Sequence, residues 1–143
     1  MQGQHDEAER SRALATLQAS GSFGALAPAQ RDRLWDAGRI ERHGPGHVFL
    51  RQGEEGDFAH LILSGEVAVE VATEAGPVTV ARLGAGALIG EIGAFARTRR
   101  TATVTALTDV AALRIEQTTT RALMEGSPET AMAVIAELGA RLQ

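Results

Sequence analysis

Glu66-Val67-Ala68-Val69-Glu70-Val71 sends its valines to one side and its glutamates to the other when the chain is extended. Successive side chains of a strand point to opposite faces, so this is the signature of a half-buried strand. The same alternation recurs outward from it. Val78, Val80 and Arg82 alternate with Thr79, Ala81 and Leu83. Thr101, Thr103 and Thr105 alternate with Ala102, Val104 and Ala106, and Leu113 and Ile115 flank Arg114. Ten of the 16 glycines fall between Glu41 and Ile115, at positions 44, 46, 53, 56, 65, 76, 84, 86, 90 and 93. Short strands cut by glycine about every eight to twelve residues suggest a sandwich, barrel or jelly roll. No helix-length segment separates them, which excludes a parallel sheet with crossover helices.

On either side of this zone the pattern turns helical. From about Asp6 to Ile40, Ala13, Leu14 and Leu17 share one helical face. Gly21–Gly24 break the pattern, and a second helix opens near Pro28, carries Leu34 and Trp35, and stops at Gly38. After the strands, Thr118 is expected to cap a short helix through Met124. Ser127-Pro128-Glu129 then supplies a capping hydroxyl, a first-turn proline and an acid at the positive end of the dipole. Ala131, Val134, Ile135, Leu138 and Leu142 follow as one apolar stripe, suited to intramolecular core or to a second copy of the chain.

Composition removes several mechanisms. The chain has 143 residues, 44% of them apolar and 22% charged, a balance typical of a folded domain. At this length folding buries roughly 68% of the unfolded surface, enough for a core without covalent staples. There is no Cys, which excludes disulfides, a thiolate nucleophile and cysteine zinc sites. All 14 basic residues are Arg, which excludes a Lys-based P-loop grip and a Schiff base. Tyr is absent and aromatics are 3%, too few to stack single-stranded nucleic acid. A net charge of −4 argues against nucleic-acid binding over the whole surface. No apolar run reaches membrane-spanning length and the polar Met1–Arg10 is unlike a signal peptide, so the expected compartment is the cytoplasm.

One segment carries chemistry: Leu88-Ile89-Gly90-Glu91-Ile92-Gly93-Ala94-Phe95-Ala96-Arg97-Thr98-Arg99-Arg100-Thr101-Ala102-Thr103. Gly90 and Gly93 permit backbone conformations that turn successive N–H groups toward one point, as anion nests do. Arg97, Arg99 and Arg100 follow, three cations in an acidic chain. Arg100 opens an alternating strand, where the pleat fixes its direction toward the glycine turn. A guanidinium fork facing backbone N–H groups is a phosphate site. Glu91, out of place beside a bare phosphate, fits a ligand that also offers a hydroxyl, such as a ribose. From the residues alone, a solvated Arg-rich turn remains the alternative.

The segment resembles the phosphate-binding cassette of the cyclic nucleotide-binding domain family. Gly90-Glu91-Ile92-Gly93-Ala94-Phe95, a four-residue loop, and Arg100-Thr101-Ala102-Thr103 match its pattern. The resemblance extends through Gly44-Pro45-Gly46, Arg51-Gln52-Gly53-Glu54-Glu55-Gly56-Asp57, Leu61-Ile62-Leu63-Ser64-Gly65-Glu66-Val67 and Arg82-Leu83-Gly84-Ala85-Gly86, covering about residues 20–143. It implies a mainly β fold: an antiparallel β-roll (jelly roll, double-stranded β-helix) flanked by N- and C-terminal helices. It implies one domain over 1–143, with helices in 1–40, the roll in 41–117, the cassette in 88–103 and helices in 118–143. The implied ligand is cAMP or cGMP, with no other cofactor. Glu91 then accepts from the ribose 2′-hydroxyl and Arg100 pairs with the exocyclic phosphate oxygens. Backbone around Ile89, Gly90, Ile92, Gly93 and Ala102, with the Thr101 hydroxyl, completes the cradle. Ala87-Leu88-Ile89 replaces a more aromatic run, and Ala94 is smaller than the usual Leu; neither departure removes a ligand contact.

Other chemistries fit less well. His43 and His47 straddle Gly44-Pro45-Gly46 in an architecture that metal-binding cupins share, but no third ligand follows at metal spacing, so turn and strand-edge roles are expected and no metal. No Gly-x-Ser-x-Gly elbow accompanies the five serines, and Glu54 and Glu55 read as solvated. The expectation is a non-catalytic sensor that binds no nucleic acid or membrane. Its last helix is expected to be cut short, with the output module beyond Gln143 and that helix available for homodimerisation. The alternative is a degenerate roll that only docks or dimerises.

Overall fold

The structure, a computed structural model, describes residues 7–19, 27–53, 58–90, 102–129 and 131–132. Two helices come first, α1 (Glu7–Ala19) and α2 (Pro28–Ala37). Pro28 occupies the first turn of α2, and the Gly38 N–H closes it onto the Leu34 and Trp35 carbonyls at 3.0 and 3.2 Å. Eight strands follow among the described residues: β1 (Arg39–His43), β2 (Val48–Leu50), β3 (Phe58–Ser64), β4 (Val67–Thr73), β5 (Gly76–Leu83), β6 (Leu88–Ile89), β7 (Thr103–Ala106) and β8 (Val110–Glu116). Helix α3 (Gln117–Glu125) continues directly from β8, one residue ahead of the expected Thr118 cap. A further helical segment opens at Pro128, with the Ala131 N–H on the Ser127 carbonyl at 3.1 Å. Among the described residues no helix is long and apolar enough to cross a membrane.

The strands form two sheets, ordered β1-β8-β3-β6 and β2-β7-β4-β5, and every pairing is antiparallel. The expected mainly β roll with flanking helices is the observed architecture. The roll begins at Arg39, slightly before the boundary read at residue 41.

Two apolar clusters explain why the strands read so differently in sequence. Ile62, Ile89, Val110 and Ala112 of the first sheet meet Val67, Val104 and Ala106 of the second. The other face of the first sheet, Ala59, Leu61, Leu88, Leu113 and Ile115, packs on Ala13 of α1 and on Leu34 and Trp35 of α2, with Ala131 at its margin. The first sheet is thus covered on both faces, and β3 is a near-continuous apolar run. The second sheet has one solvated face, and β7 alternates strictly. Arg10 ties α1 to α2 through Asp32 at 2.9 Å and Asp36 at 3.5 Å.

Turn geometry holds the layers in register. Gly65, between β3 and β4, has φ +91°, and a Cβ there would collide with the Asp109 carbonyl oxygen. The alternation expected in β5 is interrupted. Val69 pairs with Ala81 and Glu70 with Thr79, so Val80 is an extra, bulged residue. Leu83 turns into the inter-sheet core, while Val78 and Val80 are 48% and 53% exposed.

Candidate functional site: a loop bridging the two sheets

Of the expected cradle residues, Ile89, Gly90 and Ala102 are placed. Glu91, Ile92, Gly93, Arg100 and Thr101 lie outside the described residues, as do Arg97 and Arg99. Ile89 ends β6, is 2% exposed, and anchors the start of the cassette in the inter-sheet core opposite His60 of β3. Gly90 follows with φ +86°, a left-handed conformation that costs a side-chain-bearing residue steric strain and costs glycine little. The chain therefore leaves the first sheet through a turn that needs its glycine. It rejoins the second sheet at Ala102, half-buried, immediately before β7.

Strand register shows what lies beside that return point. Thr103 pairs with Glu70, so one residue earlier Ala102 comes level with Val71, and Val71 pairs with Val78. Val67 and Val69 on the same face run into the core, Val71 is half-buried, and Val78 is open. An apolar sheet face thus continues past the core beside the end of the cassette. Such a wall suits the flat face of a base, and sequence reading missed it because core and wall valines are alike in a strand pattern.

A second polar group occupies the first sheet. The Glu41 carboxylate meets Arg114 at 3.0 Å, His43 at 3.3 Å and His60 at 3.7 Å. Burial alone works to raise the Glu41 pKa, but the hydrogen bonds from Arg114 and His43 and the neighbouring positive charge outweigh it and hold it below the ordinary value. The His43 ring stacks on His47 with centroids 3.6 Å apart, and Phe49 packs its edge against both. Burial and the facing His43 lower the His47 pKa. The Arg114 guanidinium lies 3.5 Å from the centre of the Phe58 ring. His43 does end a strand and His47 precedes one, as expected, but buried His60 joined them with no warning from spacing. Among the described residues no group of three or more His, Cys, Asp or Glu has the arrangement to hold a metal ion.

The family profile described as "Cyclic nucleotide-binding domain" matches residues 40–127. The chain belongs to the cyclic nucleotide-binding domain family. The match runs from the second residue of β1 through the rest of the roll, the cassette and α3. A cyclic nucleotide-gated potassium channel of Rhizobium etli is 38% identical over 89 residues, 62% of this chain and 24% of the channel. A cAMP-dependent protein kinase regulatory subunit of Mycosarcoma maydis is 30% identical over 102 residues, 70% of this chain and 19% of the subunit. This chain therefore spans about a fifth to a quarter of these relatives. Among solved structures, the catabolite activator protein of Thermus thermophilus superposes with a TM-score of 0.75 at 29% identity, over 86% of this chain and 58% of that one.

Proposed function

We propose that this cyclic nucleotide-binding domain is a non-catalytic sensor of cAMP or cGMP whose cassette, residues 88–103, holds the ribose phosphate. The observation that carries this reading is the complete cassette in a matched family roll: Gly90-Glu91 at one end and Arg100-Thr101-Ala102 at the other. A cyclic phosphate carries one negative charge, which Arg100 neutralises as a planar fork while N–H groups near Ile92, Gly93 and Ala102 and the Thr101 hydroxyl supply further donors. Glu91 accepts the ribose 2′-hydroxyl. The open face at Val71 and Val78 takes the base. The domain acts on an output module, and the helices after residue 117 carry the signal.

Calorimetric titration with cAMP and cGMP is the direct test. Saturable one-to-one binding of either supports a sensor, and no heat with either points to the degenerate docking roll. Glu91 has its own test. Glu91→Gln is expected to weaken cAMP and to leave a 2′-deoxy analogue nearly unaffected, because that analogue has no hydroxyl to give. Equal losses for both would mean that Glu91 orders the loop instead.

A further inference from the structure

Gln52 lies just beyond β2 and bonds both to β7, the strand that the cassette rejoins, and to β4 on its far side. Its backbone N–H donates to Thr103 Oγ1 at 3.0 Å, and its side-chain Oε1 accepts the Ala72 N–H at 2.8 Å. The order β2-β7-β4-β5 puts β7 between β2 and β4. Those outer two strands are two inter-strand spacings apart, about 9.5 Å, so the Gln52 side chain must reach across β7 to find Ala72. It does so where the backbone ladders run out. The β2 pairing reaches Leu50 opposite Val104, and the β4 pairing reaches Glu70 opposite Thr103.

The face matters as well. Glu70 pairs with Thr103 and receives the Thr79 hydroxyl at 3.4 Å, so these polar groups share the outer face of the sheet. Val69 and Val104 point the other way, into the roll. Gln52 therefore grips β7 from behind and leaves the inner face beside Val71 and Val78 free.

We propose that Gln52 is a positioning residue of the nucleotide site: with Thr103 and Ala72 it fixes the strand end at which residues 91–101 rejoin the second sheet, without touching ligand. This rests on reading those residues as the cyclic nucleotide cradle. The Ala102 N–H and the Thr101 hydroxyl lie one and two residues from the strapped position, so freedom at Thr103 becomes misalignment of phosphate donors. Ordering the strand end before ligand arrives lowers the entropy that binding must otherwise remove.

The test pairs Thr103→Val, which deletes the acceptor at nearly constant shape, with Thr103→Ser, which keeps it. Gln52→Ala removes the arm to Ala72 from an exposed side chain, and guards against a folding failure of the valine variant. Calorimetry with cAMP and with cGMP gives affinity, and thermal unfolding without ligand gives stability. Thr103→Val and Gln52→Ala are expected to weaken both nucleotides by about three- to tenfold, cGMP no less than cAMP because the Thr101 hydroxyl also bears on guanine, with Thr103→Ser within about twofold of the parent. Unchanged affinity beside a lowered unfolding temperature makes the strap a brace for stability alone and overturns the proposal. A loss confined to one nucleotide also overturns it, since the phosphate donors at Thr101 and Ala102 serve both ligands. If the parent protein binds neither nucleotide, the sensor reading and this proposal fall together.

Discussion

Three arginines lie within four positions of the cassette, and their sequence positions separate them. Arg100 stands three residues before Thr103, the first residue of β7, and Arg97 and Arg99 stand farther from it. Truncating one member of a desolvated charge pair costs about 2–5 kcal/mol, so Arg100→Ala should weaken cyclic nucleotide binding at least about thirtyfold. Arg97→Ala and Arg99→Ala should change it far less. Equal losses in calorimetry for all three would describe a diffuse cationic patch. Thr101 is expected to bear on base choice. In a syn guanine the 2-amino group swings over the phosphate, where a hydroxyl accepts from it. One neutral hydrogen bond contributes about 0.5–1.5 kcal/mol, so Thr101 should favour cGMP by about two- to tenfold. Thr101→Ala should then weaken cGMP selectively; an equal loss for cAMP would assign the hydroxyl to the phosphate alone. These residues could be nominated without a structure because the cassette is contiguous. The wall at Val71 and Val78 was not, since only strand register brings it beside Ala102.

At the scale of elements, β1, β3 and β8 share one carboxylate. The Glu41 pKa is lowered from 4.5, so its stabilising pairing is complete above that value and is lost as pH falls through the lowered one. The His47 pKa is lowered from 6.5, so its neutral stacked form stabilises the fold fully above about 6.5, and this contribution declines as pH drops. Both signs point to acid sensitivity, with His47 acting first. Urea unfolding between pH 7.5 and 4 should show stability falling from about pH 6.5, and His47→Gln should flatten the upper part of that fall. Identical profiles for the two proteins would remove His47 from the account. Glu41→Gln at pH 7 should cost about 1–2 kcal/mol, at the lower end for a charge-assisted bond because Arg114 is partly exposed. The strands themselves were unequally readable. β4 and β7 alternate because one face is solvated, and the pattern located them. β3 and β8 are covered on both faces; β8 showed alternation only where Leu113 and Ile115 flank Arg114, and the apolar run of β3 carries no period to distinguish strand from buried helix.

The whole molecule links the cassette to the C-terminal helices through few steps. Ile89 before Gly90 pairs with His60 of β3, β3 pairs with β8, and α3 continues from β8 and packs on β3 and α2. Ligand that shifts the β6 end therefore acts on a sheet that already supports α3. Hydrogen exchange in residues 117–132 should change when a saturating cyclic nucleotide is added. Tight binding with unchanged exchange there would leave the domain a passive binder. By itself the sequence determined the fold class and the two N-terminal helices, the second opening at Pro28 and stopping at Gly38, and it offered the cassette, because periodicity, caps and contiguous motifs are local properties of a chain. Tertiary structure alone decided the sheet covered on both faces and the bulge at Val80. It alone gathered Glu41, His43, His60 and Arg114, and carried Gln52 across β7. Each depends on which strands become neighbours, and that pairing is set by burying both apolar clusters together rather than by any one segment.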